Sequence, residues 1–268
     1  MALGYMTNAW GATSGMGKGV TSVKDLHYVT VGLTDEAFTD IKAAGFDYIE
    51  IFEGNLLEYS KAGSFKQKLE NYGLKLLSVY TGGNFIYKEI AGEELFKIEK
   101  TCELAAKAGS KYITVGGGAV RHDGVRDSDY MALAETLDKV DEIAQRFSLT
   151  ACYHPHLGTI VETPEQIRKV LALTGISFCP DLGHIQAAGG DAAQLTEEFL
   201  GRISYLHLKD FKGTDFAPLG TGEVDVARVL ELIKQNPAEI DCTVEAERIK
   251  DPSARAAEAR LLLSKYGF

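Results

Sequence analysis

The chain has 268 residues, 45% of them hydrophobic and 25% charged, and carries a formal net charge of −10. That composition supplies a large core and excludes disorder, while its acidity opposes nucleic acid or an anionic membrane as partner, since both need a basic face. No apolar run nears the ~18 residues of a spanning helix, no charged n-region precedes an apolar stretch at the start, and Cys102, Cys152, Cys179 and Cys242 form no CxxC, which predicts buried thiols in a cytoplasmic protein.

In chain order, strands are predicted at 3–7, 47–52, 75–80, 111–115, 150–154, 176–180, 203–208 and 242–247. Each run is short, β-branched or aromatic, and mostly continuous rather than alternating, as where both faces are buried. Helical patterns fall near 34–44, 64–72, 92–108, 128–147, 164–173, 192–200, 225–235 and 253–266. Ser64 with Gln67, and Thr163 with Gln166, read as capping boxes, the second with Pro164 at the first helical position. Gly45, Gly73, Gly109, Gly175 and Gly201 each follow a helical run, where positive φ is expected. Eight β–α units in succession predict one (β/α)8 barrel over residues 1–268, with a doubly wound open sheet as the structural rival.

Residues 11–19, Gly-Ala-Thr-Ser-Gly-Met-Gly-Lys-Gly, look like a phosphate cradle, but Gly19 stands where a P-loop needs Ser or Thr, and no helix pattern follows. Residues 8–32 therefore read as a long first loop over the barrel mouth. With 52–63 and 81–92, that loop is expected to set specificity. Gly116-Gly117-Gly118 reads as clearance.

Barrel chemistry sits at the C-terminal ends of strands. His154 and His156 end the fifth predicted strand, Asp181 and His184 follow the sixth, His207 and Lys209 end the seventh, and Glu245 and Glu247 end the eighth. Side chains two apart on a strand point the same way, so two layers are expected. The deeper one, His154, Asp181, His207 and Glu245, is a mixed nitrogen and oxygen set suited to one divalent cation, Mn²⁺ first, with Co²⁺, Mg²⁺ or Zn²⁺ also compatible. The upper one, His156, His184, Lys209 and Glu247, would surround a bound substrate. Any of these alone is an ordinary structural residue, and Lys209-Asp210 alone reads as a solvated pair. Glu50 and Glu53 stand equally as pocket residues or structural ion pairs.

The stretches Tyr-His-Pro-His-Leu-Gly-Thr (153–159), Pro-Asp-Leu-Gly-His (180–184), Ala-Gly-Gly-Asp (188–191), Leu-His-Leu-Lys-Asp (206–210) and Val-Glu-Ala-Glu (244–247) resemble the xylose isomerase-like barrel superfamily, and within it the inosose dehydratases. The resemblance implies metal ligands at 154, Asp181, His207 and Glu245, and a substrate-oxygen contact at His184. Superfamily epimerases carry Glu at the strand-five position and exchange a proton between two carboxylates. Here His154 replaces it, and an elimination needs only one base and one acid. The expected activity is a metal-dependent lyase or dehydratase acting by β-elimination on a keto-sugar, 3-keto-glycoside or keto-inositol through an enediolate. Lys209, Glu247 and His156 are base candidates and His184 the candidate acid; a ketose isomerase or epimerase is the alternative. The abasic-site endonucleases of the superfamily need further ligands from strands two to four, and a non-catalytic sugar-binding module would need no base. The expected partner is a small carbohydrate or cyclitol; self-association stays open.

Overall fold

The computed structural model describes residues 1–14, 22–236, 238–247 and 249–268; part of the glycine-rich 11–19 stretch therefore lies outside the described residues. Eight parallel strands follow the predicted order: β1 (Leu3–Met6), β2 (Tyr48–Phe52), β3 (Lys75–Gly83), β4 (Tyr112–Gly117), β5 (Thr150–Tyr153), β6 (Ser177–Phe178), β7 (Tyr205–Leu208) and β8 (Asp241–Val244). Sequence neighbours pair from β1 through β6, β8 pairs with both β1 and β7, and isolated bridges Phe178–Ile203 and Asp181–His207 join β6 to β7. The sheet is thereby a single-domain (β/α)8 barrel, and the open-sheet rival falls.

Helices α1 (Glu36–Ala43), α2 (Glu53–Ala62), α3 (Phe65–Asn71), α4 (Ala91–Lys107), α5 (Asp127–Arg146), α6 (Pro164–Leu171), α7 (Leu182–Ala187), α8 (Ala192–Glu198), α9 (Val226–Gln235) and α10 (Pro252–Lys265) accompany the strands. Their apolar faces bury Phe38, Ile98, Leu137, Ile167 and Val229 against the outside of the sheet. Thr163 and Gln166 form the full capping box, whereas Ser64 only accepts from the Gln67 amide. Gly45, Gly73 and Gly109 take positive φ, but Gly175 and Gly201 do not; after α5 it is Ser148 that does, at 59°. All four cysteines are buried and free, and among the described residues no helix is long and apolar enough to cross a membrane.

Three departures bear on the mouth of the barrel. Segment 52–63, read as a loop, is α2: Gly54 and Asn55 in its first turn mask the helical pattern. Gly54 is there because a Cβ would stand 2.7 Å from the Tyr28 carbonyl oxygen, and Asn55 clasps both the amide and the carbonyl of Thr30. The short α7, unpredicted, starts just after Pro180, whose carbonyl still accepts the His207 amide, and Asp181 caps its first turn. After β7 the chain leaves the barrel in a hairpin, Asp210–Lys212 against Asp215–Ala217.

The first loop is pinned by charge. Glu53 and the Lys97 ammonium lie 3.2 Å apart with side chains only 1% and 5% exposed. Lys97 also donates to the carbonyls of Leu26 and Gly82, and Glu53 accepts from the Tyr28 amide and the Thr81 hydroxyl. Glu53 is thus a structural ion-pair member, not a pocket residue. Removing one partner strands a buried charge, so Lys97→Met is expected to cost about 3–5 kcal/mol of unfolding free energy. Glu53→Gln added to it should recover part of that loss, both read from chemical denaturation midpoints.

Candidate active site

At the C-terminal end of the barrel, β5, the β6–α7 junction, β7 and β8 each deliver one group to a common point. Donor atoms of His154, Asp181, His207 and Glu245 all lie within 4.8 Å of one another, and all four residues are buried. His154 Nε2 stands 3.2 Å from His207 Nδ1, which in turn lies 2.7 Å from Glu245 Oε2. Asp181 uses Oδ1 to accept the His184 amide. Its Oδ2 is buried without a hydrogen bond among the described residues. Nitrogens of His154, His207, Lys209 and His184 ring that oxygen at 3.5, 3.8, 3.8 and 4.0 Å.

A buried carboxylate oxygen costs several kcal/mol to desolvate and is seldom left without a partner. Two imidazoles and two carboxylates converging on it form a donor set that a divalent ion satisfies. These residues fit such an ion.

Behind His207 stands Glu50, which the sequence left undecided. Its Oε2 lies 2.9 Å from His207 Nε2 and also accepts from the Tyr205 hydroxyl, which bonds Thr243. Glu50 is fully buried at the barrel axis and absent from the cavity wall. The Glu50 carboxylate accepts a hydrogen bond from His207 Nε2–H, so Nδ1, which donates to Glu245 while the ring is protonated, is the nitrogen that would turn to an ion on losing its proton. Burial alone would lower the His207 pKa, but Glu50, Asp181 and Glu245 hold it well above the ordinary value. Burial would likewise raise Asp181 and Glu245; the Lys209 ammonium outweighs it and both stay below the carboxylate range.

The second layer divides. His156 and Glu247 line a cavity of about 920 Å³, whereas Lys209 is 1% exposed and stands off its wall. The Lys209 ammonium reaches Glu245 at 3.0 Å, Glu247 at 3.1 Å and His184 Nε2 at 3.2 Å, under the ring of Phe216. Burial would lower its pKa, but Glu245, Asp181 and Glu247 raise it. Lys209 therefore holds its proton, which counts against it as the base. An ammonium only donates, so His184 Nε2 accepts and Nδ1 carries the ring proton. That Nδ1 is buried and unpartnered among the described residues, on a ring that lines the cavity. His156 packs on His184 at 3.8 Å between ring centroids and gives its Nδ1 proton to the Leu157 carbonyl. Burial first, then His154 and Lys209, lower its pKa to about 4. Burial raises the Glu247 pKa, against the pull of Lys209.

Asp210, read as half of a solvated pair, is buried. Its carboxylate accepts the amides of Phe211, Gly220, Gly222 and Val224 and so shapes the excursion that lays Phe216 against His184. Trp10, Tyr28, Phe52 and Tyr80 supply the other aromatic walls of the cavity. Trp10 and Tyr28 come from the long first loop, as its length suggested.

A family model described as a xylose isomerase-like TIM barrel matches residues 38–266. The inosose dehydratase of Geobacillus kaustophilus (strain HTA426) is 32% identical over 165 residues, 56% of this chain and 54% of that protein. The chain spans about half the length of the first curated relatives it matches. Among solved structures, the probable 3-DHS dehydratase AsbF from Bacillus anthracis superposes with a TM-score of 0.76 at 13% identity, covering 98% of this chain and 99% of that one. An L-ribulose 3-epimerase superposes with a TM-score of 0.74 at 18% identity, covering 99% and 94%.

Glu50→Gln keeps the shape behind His207 but can present an amide N–H to Nε2 instead of an acceptor. Affinity for Mn²⁺, titrated calorimetrically on chelator-treated protein, is expected to fall about 10- to 100-fold. An unchanged affinity would remove Glu50 from the support of the site.

Proposed function

Because the chain belongs to the xylose isomerase-like TIM-barrel family, we propose that it is a divalent-metal-dependent carbon–oxygen lyase that eliminates water or an alcohol from a keto-sugar, a 3-keto-glycoside or a keto-inositol. The observation that carries this reading is the replacement of one carboxylate by an imidazole: His154 faces Glu245 across the donor cluster. The likeness to an inosose dehydratase supports the same direction.

His154, Asp181, His207 and Glu245 would hold the ion, which supplies Lewis-acid stabilisation of the oxyanion that forms when the α-proton leaves. Glu247, at the cavity wall with its pKa raised by burial, is the proposed base. The C–H pair becomes the new double bond, and the β carbon–oxygen bond breaks. His184 gives its Nδ1 proton to the departing oxygen while its Nε2 takes one from Lys209. Lys209, 3.1 Å from Glu247 and 3.2 Å from His184, then recovers the proton that Glu247 removed from carbon. No net proton is gained or lost, the His184 ring proton having moved from Nδ1 to Nε2, from which it must return before the next turnover, and the products are an unsaturated ketone and water or an alcohol. His156 holds the His184 ring in place and, unprotonated, is the second candidate base.

A ketose isomerase or 3-epimerase is the competing reading, favoured by one observation: Glu247 brings a second carboxylate to the cavity wall beside Glu245.

Metal analysis of the purified protein is expected to give about one divalent ion per chain, with activity lost to chelator. Asp181→Asn and Glu245→Gln should abolish binding while the fold survives. Metal-free protein with full activity would overturn the site.

In D₂O the enzyme is expected to give an unsaturated product and little inverted, deuterated substrate. His154→Glu should weaken elimination, because a further carboxylate reduces the positive charge that stabilises the oxyanion. Interconversion of two sugars of equal mass, with no enone absorbance, would favour the epimerase.

A further inference from the structure

The cavity over the donor cluster is not the whole of the substrate space. A second hollow of about 350 Å³ lies over the C-terminal ends of β3, β4 and β5, and Tyr28, Tyr80, His156 and Leu157 are walls of both. Those four side chains are the common boundary of the two spaces.

The hollow exists because of where this barrel ends its strands in glycine. β5, β7 and β8 and the β6–α7 junction send long polar side chains over the mouth, but β3 and β4 finish in Gly82-Gly83 and Gly116-Gly117. Packing requires those glycines. A Cβ on Gly116 would stand 2.0 Å from the Tyr80 hydroxyl, and one on Gly82 2.6 Å from the Gly116 carbonyl oxygen. What remains above them is a shelf of peptide groups flanked by Asn84 and Thr159. At the back stand Glu94 and Lys97, both buried and engaged with backbone groups. The main cavity, by contrast, is walled by aromatic rings.

We infer that the hollow binds a second, hydroxylated ring, so that the substrate is a disaccharide with one ring oxidised to the ketone. The inference rests on the proposed elimination and names its substrate class. Together the two spaces, about 920 and 350 Å³, exceed the usual range for ligand pockets of about 300–1,000 Å³, more than a single six-membered ring needs. The Gly82 and Gly117 carbonyls each accept one bond, from Lys97 and Tyr153, and keep a second lone pair, and this polar lining suits sugar hydroxyls better than a flat apolar aglycone. With the keto ring over the donor cluster, the linking oxygen crosses the boundary beside His156 and His184. Proton loss from the carbon next to the ketone then expels that oxygen. The oxygen leaves with the bonding pair, takes a proton, and departs as the hydroxyl of the intact second sugar; the keto ring keeps the new double bond.

The test is binding, measured apart from turnover. Calorimetric titration of the metal-loaded protein with 3-keto-cellobiose, 3-keto-trehalose and methyl 3-keto-glucoside is expected to show at least one disaccharide binding about tenfold more tightly than the methyl glycoside. Ala119→Phe, which fills the hollow, should erase that advantage and leave the methyl glycoside unchanged. Val23→Trp, from the loop side of the same hollow, should do likewise if the first variant misfolds. Equal affinities, or an advantage that survives both fillings, would overturn the second-ring site. A disaccharide advantage that the fillings erase, without any enone formed, would uphold the site and overturn the elimination instead.

Discussion

The imidazole of His207 sits between two carboxylates at the axis of the barrel, and most of the site depends on that placement. Glu50 bonds one ring nitrogen and Glu245 the other; the ring and Glu50 are fully buried, and Glu245 is buried except where it meets the cavity. Burying two anions side by side is expensive unless something positive lies between or beside them. Here that role falls to His207 and, one layer outward, to Lys209, with Asp181 completing the alternation of sign. The charges order one another: both nitrogens of His207 have a carboxylate partner, and among the described residues the unpartnered Asp181 Oδ2, ringed by nitrogens, marks where a cation belongs.

Much of this was legible in the sequence because strands impose a simple rule. Residues at the ends of consecutive parallel strands must meet above the barrel, so four polar pairs in the second half of the chain had one place to converge. The deep layer could be named for that reason. Glu50 could not, because its ion-pair role depends on Tyr205 and His207, more than 150 residues away, and on a register shift at Ile49 and Glu50 that no local pattern announces. The even assumption about the outer layer was too simple. β7 and β8 end at Leu208 and Val244, so Lys209 and Glu247 lie past the regular ladder, and only Glu247 reaches the cavity. Two helices escaped notice for a shared reason. Each begins in residues chosen for contacts elsewhere, Gly54 and Asn55 for the first loop in one case, Asp181 for the site in the other.

Asp181 illustrates how tightly position and chemistry are joined. One oxygen starts α7 by accepting the His184 amide, and the other faces the donor cluster. The residue that would bind the cation therefore also sets the place of the ring proposed to protonate the leaving oxygen. Helix capping, worth about 1 kcal/mol in isolation, here transmits alignment between two functional groups. The Lys97–Glu53 pair acts similarly at longer range, since through the amide of Tyr28 it fixes the ring that stands between the two hollows.

Asp210 closes the stretch that follows it as a drawstring closes a bag: the same carboxylate holds Phe211 at one end and Val224 at the other. Gly222 is packed so tightly beneath it that a Cβ would stand 2.2 Å from its Oδ1. The residues between start after strand β7, finish before helix α9, and lay Phe216 back on His184 and Lys209. With both ends held by Asp210, the excursion is a natural cassette. Its tip, carrying Phe216 over His184, can be lengthened, shortened or exchanged over evolutionary time without reopening the fold. New substrate tolerance can arise there while the buried charges beneath stay as they are.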